Sequence, residues 1–139
     1  MELRDIITKD VITVGPDTTL QEAARIMTRK NISSILVMKD DLAVGIISER
    51  DFLRIYLDGK DHKETIVREV MSSPVITADI HMNFEDVLRI MHDKGVRRLA
   101  ITEAGKVAGI ITETDLIKAV KNLHTEHQQL ARTIKFVTK

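Results

Sequence analysis

The sequence predicts an α+β protein built from two β-α-β-β-α repeats, related by a pseudo-twofold axis and packed through their sheets. Three observations carry this expectation. The 139-residue chain matches itself without gaps at an offset of 64, with 13 identities over the 52 positions 4–55 set against 68–119. The identities cluster: Val11-Ile12-Thr13 meets Val75-Ile76-Thr77, Arg25-Ile26-Met27 meets Arg89-Ile90-Met91, and Gly45-Ile46-Ile47 meets Gly109-Ile110-Ile111. Each copy also runs through the same succession of apolar periods. Two copies are too few for a solenoid. They describe two like lobes that bury a face against each other.

The elements follow in order. A short apolar run, Val11–Val14 or Val75–Ala78, reads as a strand. Leu20, Ala23, Ala24 and Met27, and likewise Phe84, Val87, Leu88 and Met91, fall at i, i+3, i+4, i+7, the apolar face of a helix. Asp17, Thr18 or Thr19 can cap the first of these helices and Asn83 the second. Two apolar runs follow in each copy, Ile35–Met38 with Ala43–Ile47 and Leu99–Ile101 with Val107–Ile111. Their polar links, 39–41 and 103–106, are of hairpin length. A closing helix presents Phe52, Leu53 and Tyr56, or Leu116, Ile117, Val120 and Leu123. Met27, Met38 and Met91 lie on these periods and are expected in the core. The polar stretch 57–64 reads as the connector, so the repeats are expected at 1–60 and 61–121, with 122–139 as a C-terminal helix or tail.

Composition narrows the function. There is no Cys, which excludes disulfides, thiolate metal ligands and thiol nucleophiles. Lys+Arg and Asp+Glu both number 21, and this neutrality argues against bulk nucleic acid as the main partner. Aromatics make up 3%, too few for a base-stacking platform. No apolar run reaches the roughly 18 residues of a membrane helix, and Met1–Asp5 does not read as a signal peptide. The expected location is the cytoplasm. His124 and His127, spaced i, i+3, are too few to hold a metal by themselves, and His62, His81 and His92 read as surface or capping groups. No Ser–His–Asp set assembles and no Gly-rich phosphate loop is present.

The most distinctive motif is Gly45-Ile46-Ile47-Ser48-Glu49-Arg50-Asp51, repeated as Gly109-Ile110-Ile111-Thr112-Glu113-Thr114-Asp115. A strand ends, a hydroxyl follows, and an acid stands three places on as a helix opens. One reading is a capping box. The other is ligand binding: an ionised Asp accepts hydrogen bonds from vicinal ribose hydroxyls, free amides at the helix start meet a phosphate, and the glycines let a ligand approach the strand.

The element order, the duplication and the G-h-h-[ST]-x-x-D ending resemble a tandem pair of CBS domains, the cystathionine-β-synthase-type regulatory (Bateman) module. The resemblance covers residues 3 to about 121, and the segments Val70–Thr77 and Lys94–Ile101 strengthen it; Leu36 and Ala100 stand where many members carry Pro. It implies a non-catalytic sensor without a cofactor, binding AMP, ADP, ATP or S-adenosylmethionine between the repeats. It also implies a disc-shaped homodimer. With no effector domain apparent in the sequence, the output is expected to pass through another protein, or the module to act as a buffer or adaptor. Carried over, one site uses Ile7, Ile12, Ile32, Ser33 and Ser34 with Thr112 and Asp115. The other uses Met71, Ile76, Val96, Arg97 and Arg98 with Ser48, Arg50 and Asp51. The second set is the arginine-rich one and is expected to hold phosphate. The rival readings are a structural dimerisation module with empty clefts and an enzyme of hydrolytic chemistry, which the placement of the acids disfavours.

Overall fold

The computed structural model describes residues 2–137, and side-chain positions for residues 2–125. A three-stranded sheet forms in each half. In the first, β1 (Thr13–Val14) pairs parallel with β2 (Ser34–Lys39), which pairs antiparallel with β3 (Leu42–Ser48). In the second, β4 (Thr77–Asp79), β5 (Arg98–Glu103) and β6 (Lys106–Thr112) repeat the order and the pairing. Helices α1 (Leu20–Lys30) and α2 (Glu49–Leu57), and α3 (Phe84–Lys94) and α4 (Glu113–Val137), complete the halves. β3 and β6 approach each other between them.

Local chemistry sets the helix ends. The Thr19 hydroxyl accepts from the Glu22 amide at 3.2 Å and the Asn83 side chain from the Asp86 amide at 2.8 Å, so each long helix opens on a capped amide. α1 and α3 stop at Asn31 and Gly95, both left-handed, the two residue types that take this conformation with least strain. The apolar faces differ in part from the periods. Leu20, Ala23 and Met27, and Val87 and Met91, are buried as expected, but Leu88 is exposed. Among the described side chains of the closing helices the buried apolar ones are Ile55, Leu116 and Ala119, while Leu53, Tyr56, Leu57, Ile117, Val120 and Leu123 face out. Met38 is only half-buried. The helix of residues 113–137 runs on well past the length of its counterpart α2.

The first strand of each half is shorter than the apolar run. β1 and β4 begin at Thr13 and Thr77 because those residues open the ladder, against Leu36 and Ala100. Val11-Ile12 and Val75-Ile76 lie before it, on segments that cross between halves. Here the fold departs most from a pair of self-contained repeats. Leu3 and Ile7 are buried in the core of the second half with Val87, Leu99 and Ile101. Their counterparts at the 64-residue offset, Val67 and Met71, belong to the core of the first half with Leu20, Ile35 and Ile47. The two arms are pinned alike. Thr8 exchanges two backbone hydrogen bonds with Ile110, at 2.9 and 3.0 Å, and Ser72 exchanges two with Ile46, at 2.9 and 3.1 Å. Arg4 pairs with Glu103 across the halves and Arg68 with Asp17. Its hydrogen bond and charge raise Arg4 and hold the Glu103 carboxyl below its ordinary range. The connector also serves the first half, since the Leu20 and Gln21 amides donate to the Thr65 and His62 carbonyls.

This exchange explains the repeated glycine. A Cβ on Gly109 would sit 2.6 Å from the Thr8 carbonyl oxygen, and one on Gly45 would strike the Met71 thioether. The arm of the other half fills the space over each glycine, not a ligand. Gly109→Ala must displace backbone, so a loss of about 1–3 kcal/mol is expected. Gly45→Ala meets the end of a flexible side chain and is expected to cost less. Denaturant unfolding of the two variants checks the order; equal losses would contradict it.

Candidate functional site

The β3-to-α2 turn, the start of β5 and the arm before β4 enclose a cleft of about 820 Å3 between the halves, within the usual range for small-molecule sites. Ile76, Val96, Arg97 and Arg98 of the second half and Ser48, Arg50 and Asp51 of the first line it together. Met71, placed with them by the resemblance, instead packs on the first core and against Gly45.

The other sequence-derived set divides. Ser33 and Ser34 line this same cleft. Ile7 is core of the second half, whereas Ile12 and Ile32 pack against the core of the first. Thr112 and Asp115 stand at the start of α4 and do not line the cleft. Among the lining residues that the sequence reading missed are Ser72, Pro74 and Val75. They sit on the exchanged arm, whose path no local period reveals.

Asp51 is 8% exposed. Its Oδ2 accepts from the Ser48 amide at 2.8 Å and the Ser48 hydroxyl at 3.1 Å, while its own amide donates back to Ser48 Oγ at 3.4 Å. Arg54 donates to Oδ1. The capping box is therefore formed, and the same carboxylate lines the cleft. Of about four lone-pair sites on a carboxylate, three are engaged. A ribose hydroxyl can take the last, or displace Arg54, whose side chain is 64% exposed. Asp115 is capped likewise, with the Thr112 amide donating to Oδ2 at 3.0 Å.

The amides at the helix starts are less free than the sequence reading expects. The Glu49 amide donates to the Ser33 carbonyl at 3.0 Å, and the Glu113 amide to the Arg97 carbonyl at 2.9 Å. The cleft groups suited to an anion are thus mainly side chains. Arg97 is mostly exposed, with Nε 3.9 Å from Glu113 Oε2. Arg98 is half-buried, and burial lowers its pKa, with Glu49 opposing and Arg97 adding to the fall. No group of three or more His, Asp or Glu able to hold a metal occurs among the described residues, and the His127 side chain lies outside them. No helix in the described residues is long and apolar enough to cross a membrane.

Comparison with known proteins agrees with this architecture. A family model for the CBS domain matches residues 3–58 and again 67–122. The CBS domain-containing protein YhcV of Bacillus subtilis is 34% identical over 132 residues, covering 94% of this chain and 92% of YhcV. MK0525 of Methanopyrus kandleri is 38% identical over 82% of this chain, which spans 60% of that longer protein. Among solved structures, the CBS domain NE2398 is 35% identical, with a TM-score of 0.80 over 86% of this chain and 97% of its own. CBSX2, solved in complex with AMP, shares the fold at 24% identity and a TM-score of 0.77, over 88% of this chain and 98% of its own. With both halves matched by one family model and folded alike, this chain belongs to the CBS domain family, as a tandem CBS pair.

Proposed function

We propose that this chain is a non-catalytic regulatory module of the cytoplasm that binds an adenosine-containing ligand, such as AMP, ADP, ATP or S-adenosylmethionine, in the cleft between its halves. The observation that supports this most is the meeting in one cleft of an apolar pair, Ile76 and Val96, with an acceptor, Asp51, and with Arg50, Arg97 and Arg98. These are the groups that a flat base, a ribose and a phosphate require. The AMP complex of CBSX2 has the same fold and points the same way.

Binding would act through the angle between the halves, because a ligand shifts such an equilibrium only by its different affinity for the two arrangements. The module would work as a homodimer on another protein. Leu53, Tyr56 and Leu57 of the first half and Ile117, Val120 and Leu123 of the second leave two similar apolar helix faces exposed. An isologous contact with a second copy covers such faces.

A thermal-shift screen with adenine nucleotides and S-adenosylmethionine tests the binding. A ligand at 100 times its dissociation constant adds about 2.7 kcal/mol, which raises the melting temperature by about 5–11 °C. No shift with any of them at millimolar concentration would leave the structural dimerisation module as the better reading.

A further inference from the structure

Resting on the homodimer reading above, and independent of the ligand, we propose that the C-terminal part of α4 pairs with the same helix of a second copy in a parallel two-stranded coiled coil. α4 runs to Val137, whereas its counterpart α2 stops at Leu57, which the 64-residue offset sets against Lys121. The 16 residues beyond, 122–137, are helical and add about 24 Å at 1.5 Å per residue. Most helical stability in proteins comes from packing an apolar stripe rather than from propensity, so the pattern of the stripe identifies what it packs on.

From Leu116 onward the sequence keeps a strict alternation of four- and three-residue steps through three heptads. Leu116, Leu123, Leu130 and Val137 fall at d, and Val120, His127 and Ile134 at a. The b, c and f positions between them are polar or charged, apart from Phe136. A straight helix drifts about 20° per heptad against a 3.5-residue repeat, so a stripe that holds the repeat suits a partner helix that supercoils with it. The described side chains show where this seam leaves the domain. Leu116 is 2% exposed in the core of the second half, while Val120 and Leu123 on the next turns are 48% and 41% exposed.

The composition of the seam selects the partner. β-branched residues at a with Leu at d favour two parallel strands, and a single polar residue at a, here His127, fixes register at some cost in stability. A second copy of this chain carries that same seam in the same register. Parallel pairing also sets Glu126 at g against Ala131 of the partner at e, so no like charges oppose each other across the seam.

Oxidative cross-linking and sedimentation equilibrium on the whole chain test the pairing. The chain has no Cys, so a single introduced cysteine reports one position. Identical d positions meet in a parallel, in-register pair, and Leu130→Cys is expected to give a disulfide-linked dimer under mild oxidation. Arg132→Cys, at an f position, is expected to stay largely unlinked. Ile134→Asp should weaken self-association at least about 10-fold, as expected for loss of a buried apolar side chain. Gln128→Asp adds the same charge at a b position and should stay within about 3-fold of the parent. Linking confined to Leu130→Cys is a gain of signal that an unfolded chain cannot supply, which separates pairing from loss of the fold. The proposal is overturned if Leu130→Cys links no faster than Arg132→Cys, or if Ile134→Asp associates as tightly as the parent. If the parent is then still a dimer, the homodimer reading stands on the other helix faces and the coiled coil alone is lost. A parent that sediments as a monomer at tens of micromolar overturns both.

Discussion

Leu3→Ala is expected to destabilise the whole chain by about 2–5 kcal/mol, the usual cost of emptying a buried leucine site, although Leu3 is only the third residue of the sequence. Leu3 is 2% exposed and packs among Val87, Leu99, Ile101 and Ile111, residues at least 84 positions away in the chain. The loss corresponds to a fall of about 4–20 °C in melting temperature. Terminal residues that merely lie on a surface would change it little. Amide exchange locates the effect: protection should fall across β5 and β6 of the second half more than across β2 and β3. A melting temperature unchanged within about 1 °C would show that the arm is not part of that core.

Asp51→Ala should act twice. Breaking the reciprocal capping of Ser48 and Asp51 costs about 0.5–2 kcal/mol of stability, and loss of a charged acceptor weakens adenosine ligands by about 10- to 150-fold. Asp115→Ala should show only the stability loss for this cleft, because Asp115 is capped alike but does not line it. The counterpart variant therefore serves as an internal control for capping. If both variants melt lower yet bind AMP as the parent does, the acids are caps and nothing more. Calorimetry and melting curves on the same two preparations decide between the outcomes.

Much of the fold is legible because strand and helix periods are local. The runs around Val37 and Ile47, the side-chain caps Thr19 and Asn83, and the gapless duplication each announce an element without knowledge of the rest. What could not be read is which lobe an apolar residue joins. Leu3 and Val67 look like ordinary starts of their own repeats, and only the closed backbone places each in the opposite core. The same limit applies at the cleft. The strand-to-helix motif marks Ser48, Arg50 and Asp51, and the arginine pair marks the start of β5. Ser33 and Ser34 join Ser48 through the β2–β3 register, but bringing that set against the arginine pair depends on how the halves face each other, which carries no signature in spacing. The glycines mislead for a related reason, since their missing side chains make room for an arm that is distant in sequence.

The exchanged arms bear on how such a chain can arise and what it can become. A single repeat of about half this length would own a core with no arm to fill it and an arm with no core of its own. It could close only by trading arms with an identical molecule. In such a twofold pair every position is forced to be the same on both sides. Joining the two copies into one polypeptide lifts that constraint, and the pair Ser34 and Arg98 shows it: equivalent positions hold a neutral hydroxyl on one side and a cation on the other. A polar direction across the cleft, with a charged end and an uncharged one, is available to the fused chain and denied to any symmetric assembly of its halves.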